Sequence, residues 1–449
     1  MLFLPVSDTP VLHTESCNPL QTEPVFTVMQ IPAQSALLVL LLSCHNDAVT
    51  LCFVFRQHTS SVRPDLHLHY VQACQKSGQP ENPFVAHVLQ EADKNDEIRC
   101  TKGITLKIAG NNHPVPVQRV TDDDLGVLAS ILRHAAFVKG LDLAYNVLTD
   151  AGAKTMATFL QRNRSLVHMR MTGNKIGDQG GMFFASMLQS NSTLQKLDLG
   201  DCDLGLKCLI AIATALTQNK SLRAINLNRP LLSSQQEETT VHIAKMLKDN
   251  SSLVELHLSK HEMKNFGVER LCEALYENSS LRYLDLSCNK ITSDGVKFLG
   301  ELLKWNQSLV ILDLNANRIE DVGATYLSEA LILHNRTLQA LSVVSCSISG
   351  KGLTALSNAI KANTILSYIY IWGNTFDEDA CMSFSELIQM GRLNPNCTDV
   401  TPYEVDGQAQ LAELSHGLQR EYYWAPRHRV VADSAANASL GLVAVSEYL

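Results

Sequence analysis

The sequence predicts an α/β solenoid, with parallel strands lining a concave face and helices outside. Two observations carry that prediction. The asparagines of Asn163-Arg-Ser, Asn191-Ser-Thr, Asn219-Lys-Ser, Asn250-Ser-Ser, Asn278-Ser-Ser, Asn306-Gln-Ser and Asn335-Arg-Thr follow one another at spacings of 28, 28, 31, 28, 28 and 29 residues. Eleven residues after each stands a landmark position: Asn174, Cys202, Pro230, His261, Asn289, Asn317 and Cys346, each behind an L-x-L type pattern. A fixed period near 28 marks stacked repeats, each a single supersecondary unit.

Along the chain, residues 1–65 come first as an atypical extension expected to be poorly ordered. Its run ALLVLLLS (36–43) looks like a targeting or membrane element, but no Lys or Arg precedes Arg56 and His45, Asn46 and Asp47 interrupt the apolar stretch. A secretory signal needs an early basic region and a spanning helix needs about 20 apolar residues, so neither secretion nor a membrane span is expected. Residues 66–100 are expected to form a helical cap.

The solenoid is expected over 101–392 as about ten units, from LKIAGN (106–111) and LDLAYN (141–146) to LSVVSC (341–346) and IYIWGN (369–374). In LDLSCN, Leu284 and Leu286 alternate with polar residues, as in a short strand with one buried face. An apolar residue follows each landmark, then usually a glycine (Gly152, Gly180, Gly267, Gly295, Gly323, Gly352) and a helical pattern such as Val296, Leu299, Leu302 and Leu303. One unit cannot bury both its strand and its helix leucines, and at roughly 1.5–3 kcal/mol per buried side chain stacking decides the fold. The landmark Asn is expected to bond the turn and the next unit; Cys substitutes weakly, and Pro230 and His261 should mark an irregularity. The sequon Asn, at the helix end, is expected to adopt a left-handed conformation. Seven sequons in phase follow from the repeat, so glycosylation is not expected.

Residues 393–424 are expected to cap the array with a hairpin around Asp406-Gly407, and 425–449 to be disordered. Twelve cysteines without a CxxC pattern make zinc unexpected, and reduced thiols suit an intracellular chain. His67/His69 and His257/His261 lack ligand partners at metal spacing. A net charge of −8 argues against a nucleic-acid clamp. Gly350-Lys-Gly-Leu-Thr-Ala resembles a dinucleotide motif, yet Gly352 is simply the repeat glycine. No enzymatic signature and no cofactor site emerges.

Function is then expected on the outward strand positions. One column contains Asp142, Arg170, Asp198, His257, Asp285, Asp313 and Tyr370; another contains Arg229 and Lys260. Tyr370 and Trp372 are the expected aromatic anchors of a protein partner.

The pattern LxxLxLxxNxIxxxGxxxLxxxL resembles the ribonuclease-inhibitor type of leucine-rich repeat, which implies a horseshoe-like solenoid that binds proteins. A closer resemblance, from about Tyr70 to Trp424, is to one vertebrate branch of this family, through GGMFFASMLQ, KLDLGDCDLG, YIYIWGNTFDEDAC and TDVTPYEVDG. That branch carries one more repeat between the units at Asn146 and Asn174. The resemblance implies a non-enzymatic protein of the nucleolus and cytoplasm, linked to stem-cell pluripotency, differentiation and ribosome biogenesis. It also implies nucleolar partners such as nucleophosmin and nucleolin. The alternative is an inhibitor or regulator of a ribonuclease or small GTPase.

Overall fold

The structure, a computed structural model, describes residues 30–33, 36–45 and 48–56 at the level of the backbone, and 65–94, 103–111, 117–232 and 237–414 with side chains. Two compact units divide the chain, Met1–Arg63 and Pro64–Leu449. The first contains an antiparallel sheet of β1 (Gln30–Ala33), β2 (Ala36–His45) and β3 (Ala48–Arg56). The apolar run 36–43 lies within β2, and His45 at its end pairs with Ala48. Expectations for 425–449, and for the aromatic residues at 422–424, lie outside the described residues.

The second unit opens with helices Leu66–Ser77 and Pro83–Lys94. The Asp93 carboxylate accepts from the first free amides of the leading helix, Leu66 N at 3.1 Å and His67 N at 2.9 Å, which a helix start otherwise leaves unpaired. Ten parallel strands follow in strict chain order: β4 (Ile104–Lys107), β5 (Val138–Asp142), β6 (His168–Arg170), β7 (Lys196–Asp198), β8 (Ala224–Asn226), β9 (Glu255–His257), β10 (Tyr283–Asp285), β11 (Ile311–Asp313), β12 (Ala340–Ser342) and β13 (Tyr368–Tyr370). From β5 to β13 an amphipathic helix stands between each pair of successive strands, as in Ser293–Trp305, which buries Val296, Leu299, Leu302 and Leu303. β5 pairs directly with β6, Gly140 opposite His168, so the solenoid is continuous between the units of Asn146 and Asn174. Strands lie about 4.8 Å apart and packed helices 8–10 Å, so the strand side is the inside of the curve.

Three ladders of polar side chains join the repeats. In the first, the landmark asparagines turn inward: Asn289 Nδ2 donates to Leu258 O and Leu286 O, both at 2.9 Å, and its oxygen accepts from His261 N at 2.9 Å. Cys202 and Cys346 reach the corresponding carbonyls, Met171 O at 3.4 Å and Leu314 O at 3.2 Å. His261, expected to fail in this role, fulfils it: its Nε2 lies 2.8 Å from Leu227 O, because an imidazole N–H reaches as far as an amide. The sheet shows no break there, Ala224 pairing with Glu255 in normal register. The register shift in this sheet lies instead between Ile104 and Thr105.

The sequon asparagines form the second ladder, and here the left-handed expectation is overturned. Asn163, Asn191, Asn219, Asn250 and Asn306 are all extended, with φ from −71° to −87°. Their side chains, not their backbones, make the turn. Asn278 accepts from Ser280 N and Leu281 N at 3.0 and 2.9 Å, while its Nδ2 donates to Leu247 O and Asn250 O at 2.7 and 2.9 Å. The Ser or Thr of the sequon is the residue whose backbone N–H is accepted. Asn278 is only 6% exposed.

The third ladder runs along the helix N-termini. Asp150 Oδ1 accepts from Gly177 N and Gly180 N of the next repeat at 2.7 and 3.0 Å, and Asp321 does the same for Ser349 N and Gly352 N. A carboxylate there suits the positive end of the next helix. Gly180 is glycine for want of space: a Cβ would stand 2.6 Å from that carboxylate.

The array ends in a hairpin of β14 (Val400–Val405) and β15 (Gln408–Glu413). Asp406 and Gly407 between them have φ of 51° and 78°, the double left-handed turn that matches strand twist.

Candidate protein-interaction face

Parallel pairing sets Lys107, Asp142, Arg170, Asp198, Asn226, His257, Asp285, Asp313, Ser342 and Tyr370 in one row across β4–β13. Seven of the residues singled out from the sequence share this row. Its acidic members have a local role that sequence reasoning missed. Oδ1 of Asp142, Asp198, Asp285 and Asp313 accepts the backbone N–H two residues on, at 2.9–3.0 Å, and Asn226 does likewise for Asn228 N. The side chain thereby closes a turn at the strand end. The D-x-[small or Asn] spacing is the signal that could have revealed it.

The second carboxylate oxygen of several of these residues points along the row. Arg170 lies between Asp142 and Asp198, 3.4 and 3.2 Å away. Burial pushes the Asp198 carboxyl up to about 6, against the pull of Arg170 and the Gly200 N–H. His257 stands 2.7 Å from Glu255 and 3.3 Å from Asp285, edge-on to Tyr283 with ring centres 4.7 Å apart. Burial alone would lower the imidazole; the Asp285 and Glu255 carboxylates outweigh it and hold its pKa up to about 9. His261 is equally buried, and there burial outweighs its bond to Leu227 O and the pull of Asp285, so its pKa falls to about 4.

Arg229 and Lys260 belong to a different row, at the turn after the strands. Every member of that row has a left-handed backbone: Tyr145, Asp201, Arg229, Lys260, Cys288, Ala316 and Ser345 at φ of 52–60°, Gly173 and Gly373 at 73° and 74°. Arg229 pairs with Asp201 at 3.2 Å, with both side chains exposed. Between the two rows lies a cavity of about 120 Å³, walled by Tyr145, Arg170, Asp198, Asn228, Arg229 and Lys260.

The two aromatic candidates are not equivalent. Tyr370 is on the strand face, as alternation requires, but is 1% exposed and packs with Val254, Tyr283, Val310, Ile311 and Ala340. An apolar cluster separate from the main core holds it, so it is not the exposed anchor expected. Trp372, two residues on, is half-buried, its ring 5.9 Å from Phe376. Among the described residues no group of three or more His, Cys, Asp or Glu is placed to hold a metal ion, and no helix is long and apolar enough to cross a membrane. Eight described cysteines are free thiols.

With this geometry the comparisons with known proteins agree. The Leucine Rich repeat family model matches residues 134–157, 162–185, 190–213, 277–300, 306–328 and 334–357. Leucine-rich repeat-containing protein 34 of Homo sapiens is 55% identical over 410 residues, 85% of this chain and 88% of that protein; its Mus musculus counterpart is 50% identical over 412 residues, 86% and 99%. The chain belongs to the leucine-rich repeat-containing protein 34 family. Among solved structures, the tropomodulin C-terminal domain of Caenorhabditis elegans aligns at 16% identity and a TM-score of 0.30, covering 34% of this chain and 92% of that one.

As a member of this family the chain has a fold suited to protein interaction. The repeat matches leave out 214–276, where Pro230 and His261 replace the landmark Asn. The strands of β8 and β9 nevertheless continue the sheet without interruption, and His261 supplies the donor of its own unit.

Proposed function

We propose that this chain is a non-enzymatic scaffold of the nucleolus and cytoplasm that docks partner proteins on its strand face. The partners are nucleolar proteins such as nucleophosmin and nucleolin, in the service of ribosome biogenesis and the pluripotent state of stem cells. The observation that carries the reading is the pocket between Arg170, Asp198, Arg229 and Lys260. Rigid strands and turns hold its charged groups in register, as a specific binding surface requires. Family membership supports the interaction role, and the free thiols of the eight described cysteines suit a reducing compartment.

The test is affinity purification of the tagged full chain, with and without nuclease, followed by mass spectrometry and an endoglycosidase shift on the same sample. Nuclease-resistant nucleolar proteins, lost about tenfold or more in an R229E/K260E double variant, are the expected result. Unchanged recovery in that variant, or a glycosidase shift, overturns the reading. Recovery dominated by a single ribonuclease or small GTPase would make the chain an enzyme regulator instead.

A further inference from the structure

In the first repeats of the solenoid, charge differs between the two rims. In the first repeats, Asp122, Asp150 and Asp178 all lie at helix N-termini, where they cap neighbouring turns. On the opposite rim, where helices end and turn toward the next strand, these repeats carry arginines, although Asp249 and Glu277 stand on the same rim further along. There a cavity of about 410 Å³ has Arg133, Arg162 and Arg164 in its wall beside Phe159 and Asn163, and no acidic side chain among its lining residues. Further along the same rim a second cavity, of about 490 Å³, is lined by Lys220 and Arg223 and again by no acid.

A cation at a helix C-terminus has an ordinary explanation, since it neutralises the dipole and bonds the last carbonyls. Arg164 does this, donating to Gln161 O and Asn163 O at 3.2 and 3.3 Å. Arg223 and Lys220 likewise reach Ser252 O and Asp249 O. Arg133 and Arg162 do not. Both are exposed at the mouth of the first cavity, and neither side chain has a hydrogen bond or ion pair among the described residues. Arg164 serves the end of the helix Asp150–Arg162, while Arg133 follows the helix Asp122–Leu132, so the concavity holds two guanidiniums that bond neither helix end.

We infer that the cavity of Arg133, Arg162 and Arg164 is a binding site for a phosphorylated side chain of a protein partner. Guanidinium forks match the oxygens of a phosphate in paired hydrogen bonds, and phosphoserine or phosphothreonine places about two negative charges at one point. A nucleic-acid strand fits less well: it is bound by a continuous basic track with exposed aromatics for base stacking, whereas Phe159 is only 4% exposed and the three arginines line a single concavity. This site lies on a different surface from the strand-face pocket and does not depend on it.

The test uses the full-length chain and fluorescence anisotropy with four labelled probes: a degenerate peptide pool centred on phosphoserine or phosphothreonine, the same pool unphosphorylated, a polyglutamate peptide and a 12-nucleotide single-stranded RNA. The phosphorylated pool is expected to bind at least tenfold more tightly than the other three and to be displaced by millimolar inorganic phosphate. Arg133→Gln with Arg162→Gln should reduce it to the unphosphorylated level at unchanged melting temperature, while R229E/K260E leaves it intact. Equal binding of the two peptide pools, preference for RNA or polyglutamate, or a double glutamine variant that binds as well as wild type overturns the assignment.

Discussion

The Arg392 guanidinium donates to the main-chain oxygen of Asn363, the group that in earlier repeats receives a donor from the next asparagine. A second bond runs from the same nitrogen to Leu366 O at 3.0 Å. On the strand side Asp399 completes the imitation, its two oxygens accepting Ile371 N and Trp372 N at 2.9 and 3.0 Å. The cap thus supplies, from two side chains, what a further repeat would bring. Buried main-chain groups left open would each cost roughly 1–3 kcal/mol.

Arg392→Ala is therefore expected to destabilise the array by about 2–3 kcal/mol, because two carbonyls lose a charged donor. Urea unfolding followed by circular dichroism measures it. A loss below about 0.5 kcal/mol would show that water replaces the cap without penalty.

Asn278→Ala removes a side chain that makes two donated and three accepted bonds inside the stack, and should cost about 3 kcal/mol. Asn163, half-buried and bonded within its own turn, is the internal control and should cost about half as much. Equal losses at the two positions in denaturant melts would refute the ladder argument.

The same geometry forbids a sugar on Asn219, Asn250 or Asn278 of the folded chain. Both Nδ2 hydrogens of Asn219, Asn250 and Asn278 are engaged with the preceding repeat, and an N-linked glycan takes the place of one. Fusing a secretory signal to the chain should give glycosylated, protease-sensitive material. Compact, fully glycosylated product in limited proteolysis would contradict this.

His257 predicts a response to alkali. Its folded pKa of about 9 lies above the usual 6.5, so its contribution is complete below pH 6.5 and is lost as pH rises through 9. His261 has the opposite sign: its folded value of about 4 means stability present above pH 6.5 and lost as pH falls toward 4. Melting temperatures from pH 4 to 10 should fall at both ends. His257→Gln should flatten the alkaline limb and His261→Asn, which keeps the amide donor, the acid one; unchanged limbs would refute the assignments.

Much of this was legible in sequence because the repeat repeats its physics. Strand and helix phase follow from leucine spacing, and glycines such as Gly180 from helix crowding. What escaped was anything decided by a side chain acting as backbone. Asn163 suggests a left-handed residue until its amide is seen making the turn with an extended backbone. Asp285 suggests a recognition residue until its oxygen is found on Ser287 N. Tyr370 is outward by parity, and only the three-dimensional neighbours Tyr283 and Ile311 show it to be buried.

The two sides of the second unit differ in how they resist deformation. On the strand side and along both rims, consecutive repeats are tied by short directional bonds such as Asn289 to Leu258 and Asp150 to Gly177. Between the helix bodies the buried side chains are largely apolar, such as Leu299 and Leu303 of one helix and Leu327 and Leu331 of the next, and such contacts tolerate small sliding. The molecule should therefore flex like a bound book, its spine along the strands and its pages fanning at the helices. A partner gripping the inner face meets a nearly inextensible surface, while one seated on the outer layer could spread or close neighbouring leaves.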